Sequence, residues 1–387
     1  MNTRTLRPVA LACLLVVGAA AQAQTRQWLL TANENKVELR KGAVTVRQAD
    51  TQDSVSVFDI STSPAKLVVR VDVPVSVVGP PQSVALAPDL SLAVVTSATR
   101  IDPADKTKTT DGNQISVIDL EASPPALVQS LTEGPAPAGV AVSPDGKMVL
   151  AVTRGDSAVL VFALEGKRLR QTARLALPDK SVPGGVAFAP DGKRALVTRD
   201  GDSTVTVLAI DAGEVKLAGR DFFTGVRPYG VHISANGEWA IVGNVGRGQG
   251  DHDTITLVDM KGALPRSVHH ATVGPTAEGV AMSPDSKLVA AVVHDGTMRP
   301  ATHPLYRDNG RLVVFRIDAG KLVPVGAAAI GKWSQGAAFS ADSHRLYVQN
   351  MVERDVLVFR VEANAVVDTG ERISLPGGGA SIVAGSR

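Results

Sequence analysis

The chain has 387 residues, of which 44% are apolar, 20% charged and 4% aromatic, with 36 Gly, 23 Pro and a single Cys; this composition excludes a disordered chain and a disulfide scaffold. Two of its 40 basic residues and none of its 38 acidic ones lie in the first 23 positions, so the remainder balances at 38 against 38. That balance argues against a nucleic-acid or anionic-membrane binder, which needs surplus positive charge.

The N-terminal stretch has Arg4 and Arg7, an apolar run from Val9 to Val17, then small residues ending in Ala21-Gln22-Ala23. It reads as a secretory signal peptide over residues 1–23, cut after Ala23, and a periplasmic or secreted product is expected. A lipoprotein would need Cys13 as the modified residue, and the apolar run before it is too short. Cleavage leaves residues 24–387, 364 residues from which the only Cys has gone. Disulfides, a thiolate nucleophile and sulfur metal ligands are then unavailable. No later apolar run reaches the roughly 18 residues needed to span a bilayer.

Trp28 to Asn33 opens the remaining chain as a strand. After it, six segments line up without internal gaps: Ser83 to Ser97, Gly139 to Arg154, Gly185 to Arg199, Gly230 to Asn244, Gly279 to His294 and Gly336 to Asn350. Their turn residues Asp89, Asp145, Asp191, Asn236, Asp285 and Asp342 are 56, 46, 45, 49 and 57 apart, a period that fits a four-stranded propeller blade. Each unit predicts a short first strand, a Pro-Asp-Gly-type corner and a Val-rich second strand. A third strand follows after a variable loop: Val55 to Ile60, Ile115 to Leu120, Val159 to Leu164, Val205 to Ile210, Ile255 to Met260, Leu312 to Ile317 and Val356 to Val361. This last set has seven members, one more than the first. The seventh blade is therefore expected to draw its second strand from Trp28 to Asn33 and its innermost strand from Gly379 to Ser386. Division of 364 residues among seven blades gives 52 each. The expected fold is all-β, a single seven-bladed β-propeller domain over residues 24–387 with four-stranded antiparallel blades. Its ring closes through N- and C-terminal strands mixed in one blade, which removes exposed sheet edges. Almost no helix is expected, since no stretch sustains a 3.6-residue period.

The Gly-Val-Ala-x-Ser-Pro-Asp-Gly-Lys corner, the Tyr347-Val-Gln-Asn second strand and the Val-x-Val-Phe/Ile-Asp third strand resemble those of the YVTN-type, lactonase-like seven-bladed propellers over essentially the whole chain after Ala23. The resemblance implies exported proteins, surface-layer or redox-associated proteins, or lactone hydrolases. Where the hydrolase branch carries a Gly-Pro-Arg-His-type segment, this chain reads Arg227-Pro-Tyr-Gly-Val-His232. The repeated residues themselves serve turns and packing.

The corners keep nearly one length, whereas the second-to-third loops range from short (Met351 to Arg354) to long (Ala98 to Gln114, Asp295 to Arg311). Variation marks this loop-rich face as the site candidate. The residues ending the second strands are read as Ala32, Ser97, Arg154, Arg199, Asn244, His294 and Asn350. Those opening the first strands are read as Gln82, Ala138, Gly184, Tyr229, Glu278 and Gln335. Arg154, Arg199, Tyr229, Asn244 and Asn350, with Arg299 and His303 from the Asp295 to Arg311 flap, form the expected binding set for a small polar or anionic ligand. Glu278 and His294 form a candidate acid/base pair. Mutual pairing of these groups to plug the channel is the alternative. Asp251-His252-Asp253 and the trio Asp102, Asp105 and Asp111 match neither a calcium loop nor a zinc spacing, so no metal is expected, and no cofactor motif is present. His232 replaces an Ala of the first strand and is expected to be a packed, hydrogen-bonded residue. The reading that follows is an exported binding protein for a protein partner or a small ligand, compatible with a monomer. The alternative is a lactonase-like hydrolase.

Overall fold

The computed structural model describes Met1, residues 26–47 and residues 52–387. The expected signal peptide lies outside the described residues, Met1 apart. Among the described residues there is no helix, and none is long and apolar enough to cross a membrane. Seven four-stranded antiparallel sheets follow one another around a ring.

Blade 1 has the strand order Gly378–Ser386, Gln27–Glu34, Ser54–Asp59, Lys66–Asp72, so the two ends of the chain lie side by side, Gln27 opposite Ser386. The other blades run in chain order from their inner strands. These are Val84–Leu86 in blade 2, Pro137–Val142 in blade 3, Pro183–Phe188 in blade 4, Pro228–Ile233 in blade 5, Ala277–Met282 in blade 6 and Ser334–Phe339 in blade 7. The second strands of blades 3 to 7 end at Thr153, Arg199, Asn244, Val293 and Asn350.

The recurring Ser-Pro-Asp-Gly-Lys sequence has a local cause. At the corner of blade 3 the Ser143 hydroxyl donates to Asp145 Oδ1 at 2.6 Å and accepts the Met148 N–H at 2.8 Å, while Asp145 Oδ1 also accepts the Lys147 N–H at 3.1 Å. Ser234 with Asn236, Ser283 with Asp285, and Ser340 with Asp342 repeat the device. The residue after the acid takes a left-handed backbone conformation, Gly146 at φ 70° and Gly192 at φ 68°, which explains the glycine. Between blades the core is aliphatic, with a few aromatic anchors. Phe162 of blade 3 packs with Val94, Ile115 and Val117 of blade 2, and Phe359 of blade 7 with Leu312 and Val314 of blade 6. Each such fully buried side chain contributes about 1.5–3 kcal/mol.

Two segments differ from expectation. The stretch Ala98 to Gln114 is mostly strand, because Leu92–Ile101 and Thr109–Asp119 pair as far as Ile101 opposite Thr109. A hairpin, Val37–Arg40 with Ala43–Val46, rises between the second and third strands of blade 1. Its turn residues Lys41 and Gly42 both have positive φ, the primed-turn geometry that suits the twist of a two-residue hairpin.

The centre of the ring is filled. The segment Pro80-Pro81-Gln82 leads into blade 2 and crosses the axis. Gln82 Nε2 donates to the Val231 carbonyl at 2.7 Å, and its Oε1 accepts the Val231 N–H at 3.0 Å, which ties blade 2 to the inner strand of blade 5. Pro81 lies against Gly279 and Gly336, where a Cβ would come within 3.2 and 2.9 Å of the proline ring. Gly336→Val should therefore destabilise the fold by about 1–3 kcal/mol through overpacking. Gly262→Ala, whose Cβ would meet no atom closer than 3.9 Å, should stay within about 0.5 kcal/mol of wild type. Urea unfolding of both variants checks this, and equal midpoints would contradict the Pro81 contact.

Candidate functional site

On the loop-rich face blades 3 to 7 repeat one turn. The residue just past the second strand donates its N–H to the carbonyl of the residue immediately before the inner strand: Arg154 to Ala136, Asp200 to Val182, Val245 to Arg227, His294 to Thr276 and Met351 to Trp333. All five acceptor residues are non-glycine and have φ between 46° and 63°. This geometry brings the residue past the strand end, rather than the end residue itself, into contact with the neighbouring blade at the mouth of the ring.

Asp200 sits at the centre of the resulting cluster. Its Oδ2 accepts from Arg154 Nη2 at 3.0 Å and from Arg227 Nη2 at 3.2 Å, and its Oδ1 accepts from Arg227 Nε at 2.6 Å. Burial works to raise the Asp200 pKa, but the two guanidinium groups outweigh it and hold the carboxyl below its usual range. The Arg154 guanidinium also lies 5.7 Å from the centroid of the Tyr229 ring. The Tyr229 backbone is fixed because its carbonyl accepts from Thr198 Oγ1 of blade 4. Burial raises the Tyr229 phenol pKa, with the Glu278 and Asp200 carboxylates reinforcing it, so the hydroxyl stays a neutral donor.

Glu278 is 8% exposed, and burial pushes its pKa up to about 8 against the pull of Arg227 and Arg154. His294 is buried as well, and burial lowers its pKa to about 4. Its Nε2 donates to the Ser334 carbonyl at 3.1 Å and lies 3.9 Å from Glu278 Oε2. The expected acid/base pair is thus brought together without a hydrogen bond between its members, and at neutral pH both are uncharged. Two arginines against one aspartate leave the cluster with a net charge of about +1 at neutral pH. Arg154 Nη1 and both amide atoms of Gln335, which stands beside Glu278, are buried without a hydrogen-bond partner among the described residues. Buried polar atoms of this kind call for a ligand or water.

The remaining expected binding residues are placed elsewhere. Arg199 turns into its own blade, bonded to Asp202, Asp221 and, at 2.9 Å, to Thr206 Oγ1. Asn244 Nδ2 donates to Thr254 and Thr256 within blade 5, and Asn350 links Gly331, Ser334 and Asp355 within blade 7. These three brace the loops and have no spare donors facing the cluster. The strand-end alignment mixes two registers: Arg199, Asn244 and Asn350 pair with Pro183, Pro228 and Ser334, whereas Arg154 and His294 stand one residue further on. A shift of one residue reverses the side-chain direction. The same shift accounts for the residues that sequence reasoning missed, Asp200 and Arg227; counting one position past each strand end would have found Asp200. In blade 1 the equivalent residue, Glu34, is bound to Lys36 at 2.8 Å and to the Val77 N–H at 3.0 Å.

Arg299 and His303 belong to a flap built of successive turns. Arg299 Nη1 lies 3.1 Å from His303 Nε2, and its Nη2 donates to the Gly248 carbonyl of blade 5 at 2.7 Å. Leu305 rests on Gly250, Pro300 on Gly42 of the blade-1 hairpin, and Met298 joins the apolar cluster of Trp333 and Val37. These contacts together pin the flap across blades 5, 6 and 1. Among the described residues no three His, Cys, Asp or Glu gather as a metal site. Asp253, from one suggested trio, accepts the Thr276 N–H at 2.7 Å.

A family model described as "Lactonase, 7-bladed beta-propeller" matches residues 43–298, about two thirds of the chain. No curated protein sequence matches. Among solved structures, the chain is similar to a periplasmic gluconolactonase of Pseudomonas aeruginosa, at 16% identity and a TM-score of 0.70, covering 93% of this chain and 99% of that one. It is also similar to a protein of Bacteroides uniformis provisionally named a 6-phosphogluconolactonase, at 15% identity and a TM-score of 0.71, with 93% and 99% covered. A functionally unknown protein of Desulfotomaculum acetoxidans gives 18% identity, a TM-score of 0.65 and coverage of 91% and 97%. At these identities the likeness shows the fold.

Glu278 holds its proton more tightly folded than unfolded. Its contribution to stability is full below the unfolded carboxyl value of 4.5 and is lost as pH rises toward 8. Glu278→Gln should leave stability near pH 5 almost unchanged and exceed wild type near pH 9 by on the order of 3 kcal/mol. Denaturant unfolding at both pH values tests this; identical pH slopes for the two proteins would refute the buried, protonated carboxyl.

Proposed function

The chain belongs to the lactonase family of seven-bladed β-propellers, and from that premise we propose that it hydrolyses a small sugar-acid lactone at the mouth of the ring. The observation that carries the reading is Glu278, a buried carboxyl whose pKa of about 8 lies close to working pH, next to the buried and unpartnered Arg154 Nη1. The gluconolactonase fold of the Pseudomonas aeruginosa protein supports the substrate class. Water attacks the ring carbonyl while the ionised Glu278 takes its proton. The carbonyl oxygen becomes an oxyanion facing Arg154, which the Tyr229 hydroxyl also reaches as a neutral donor. Collapse breaks the ring C–O bond, and the leaving alkoxide recovers the proton from Glu278, giving the open hydroxy acid. His294 acts as a positioning residue, with its proton committed to Ser334. Arg227 holds Asp200 so that Arg154 stays oriented.

Hydrolysis of glucono-δ-lactone, a phosphorylated gluconolactone and γ-butyrolactone tests the proposal. Turnover should rise with pH through about 8 as Glu278 ionises. Glu278→Gln should lower kcat by about 10²–10⁴ and Arg154→Met by about 10², with melting curves confirming both folds. A second reading, binding without turnover, is favoured by the protonated state of Glu278 at neutral pH. A lactone that raises the melting temperature of wild type yet disappears no faster than in buffer would select it.

We also propose export through residues 1–23, supported by Arg4, Arg7, the apolar run and Ala21-Gln22-Ala23. Sequencing of the protein recovered from a bacterial envelope fraction should begin at Gln24, and an intact Met1 terminus in the cytosol would overturn it.

A further inference from the structure

The Pro80-Pro81-Gln82 segment seals the channel below the polar mouth. Beyond it, toward the corner face, lies a chamber of about 460 Å³ bounded by the inner strands and rimmed by Pro88, Pro144 and Pro284. None of its lining residues is Asp, Glu, Lys or Arg. Three residues before each corner's second position the blades present Ala85, Ala141, Ala187, Ala281 and Ala338 to this part of the ring; blade 5 alone among them presents His232.

His232 was expected to be packed and hydrogen-bonded. Instead it is half-buried in the chamber wall, and no side chain or backbone group among the described residues bonds its imidazole. Burial alone lowers its pKa, to about 4, so the ring is neutral at physiological pH. A neutral imidazole offers one N–H donor and one acceptor nitrogen. Neither ring nitrogen is among the fully buried unpartnered atoms, so both remain open to a partner from the chamber, and packing does not require the ring, since five other blades manage with alanine.

We propose that this chamber is a second binding site, separate from the mouth, for a small uncharged molecule with an apolar body and one hydroxyl group, a phenol in chemical class, whose hydroxyl pairs with His232. The volume falls within the range of small-molecule sites. A charged ligand is disfavoured, because it would lose its hydration with no counter-charge in the wall. A hydroxyl both donates and accepts, and so matches the imidazole in either tautomer.

Calorimetric titration of the full chain with p-cresol, paired with NMR of the histidine ring nitrogens, tests the site. A single saturable site, with shifts at the His232 ring, is expected. His232→Ala should weaken affinity about tenfold, the loss of one hydrogen bond. Ala187→Phe, which fills the chamber and leaves His232 in place, should abolish binding. The proposal is overturned if wild type shows no saturable binding, or if binding persists undiminished in both variants. Because the readout is p-cresol affinity, its failure would leave the lactone reading at the mouth untouched, and the reverse holds as well.

Discussion

Seven inner strands converge on one axis, and the scarcity of room there governs the rest of the molecule. The chain meets it with small residues at the inner-strand starts and with a register shift in the inner strands of blades 3 to 7, as between Pro183 and Val186 or Pro228 and Val231. Carbonyls released at those shifts are recovered by threonines of the preceding blade, Thr96 to Ala138 and Thr198 to Tyr229. What space remains is occupied by two prolines and Gln82. Division of the channel into a charged mouth and an apolar chamber is therefore a by-product of packing at the axis.

At the mouth, one carboxylate organises two arginines and leaves another carboxyl in want of a partner. Asp200 takes three hydrogen bonds from Arg154 and Arg227, so those cations are largely neutralised before they reach Glu278. Glu278 is then governed by burial, and its pKa climbs. Two acids at one mouth, Asp200 past the second strand of blade 4 and Glu278 in the inner strand of blade 6, thus end on opposite sides of neutrality, a separation of roles common in acid/base chemistry.

Architecture was legible in the sequence because the Ser-x-Asp corner and the third-strand runs are local devices with fixed spacing. The site was legible only in part. Arg154, Tyr229, Glu278 and His294 do meet, but Arg199, Asn244 and Asn350 were drawn in by an alignment that ignored a one-residue offset between blades. That offset is one of counting: Thr153 and Val293 hold the strand-end place of Arg199, Asn244 and Asn350, and each pairs with the first residue of its inner strand. The blade-1 hairpin was missed although Lys41-Gly42 is a recognisable turn, since its strands are only four residues each. His232 stood out as an alanine replacement, but its surroundings depend on the plug, a contact between residues 149 apart.

The sheet in which Gly378–Ser386 lies against Gln27–Glu34 also sets a timetable. Gln27–Glu34 has Ser54–Asp59 on one side from early on, but its other side stays unpaired until Gly378–Ser386 has been synthesised. Until then the first blade presents a bare edge, and closure must overcome the entropy of joining points some 350 residues apart, a penalty that grows only logarithmically with length. A chain with so distant a final contact keeps its ring open while it is being made.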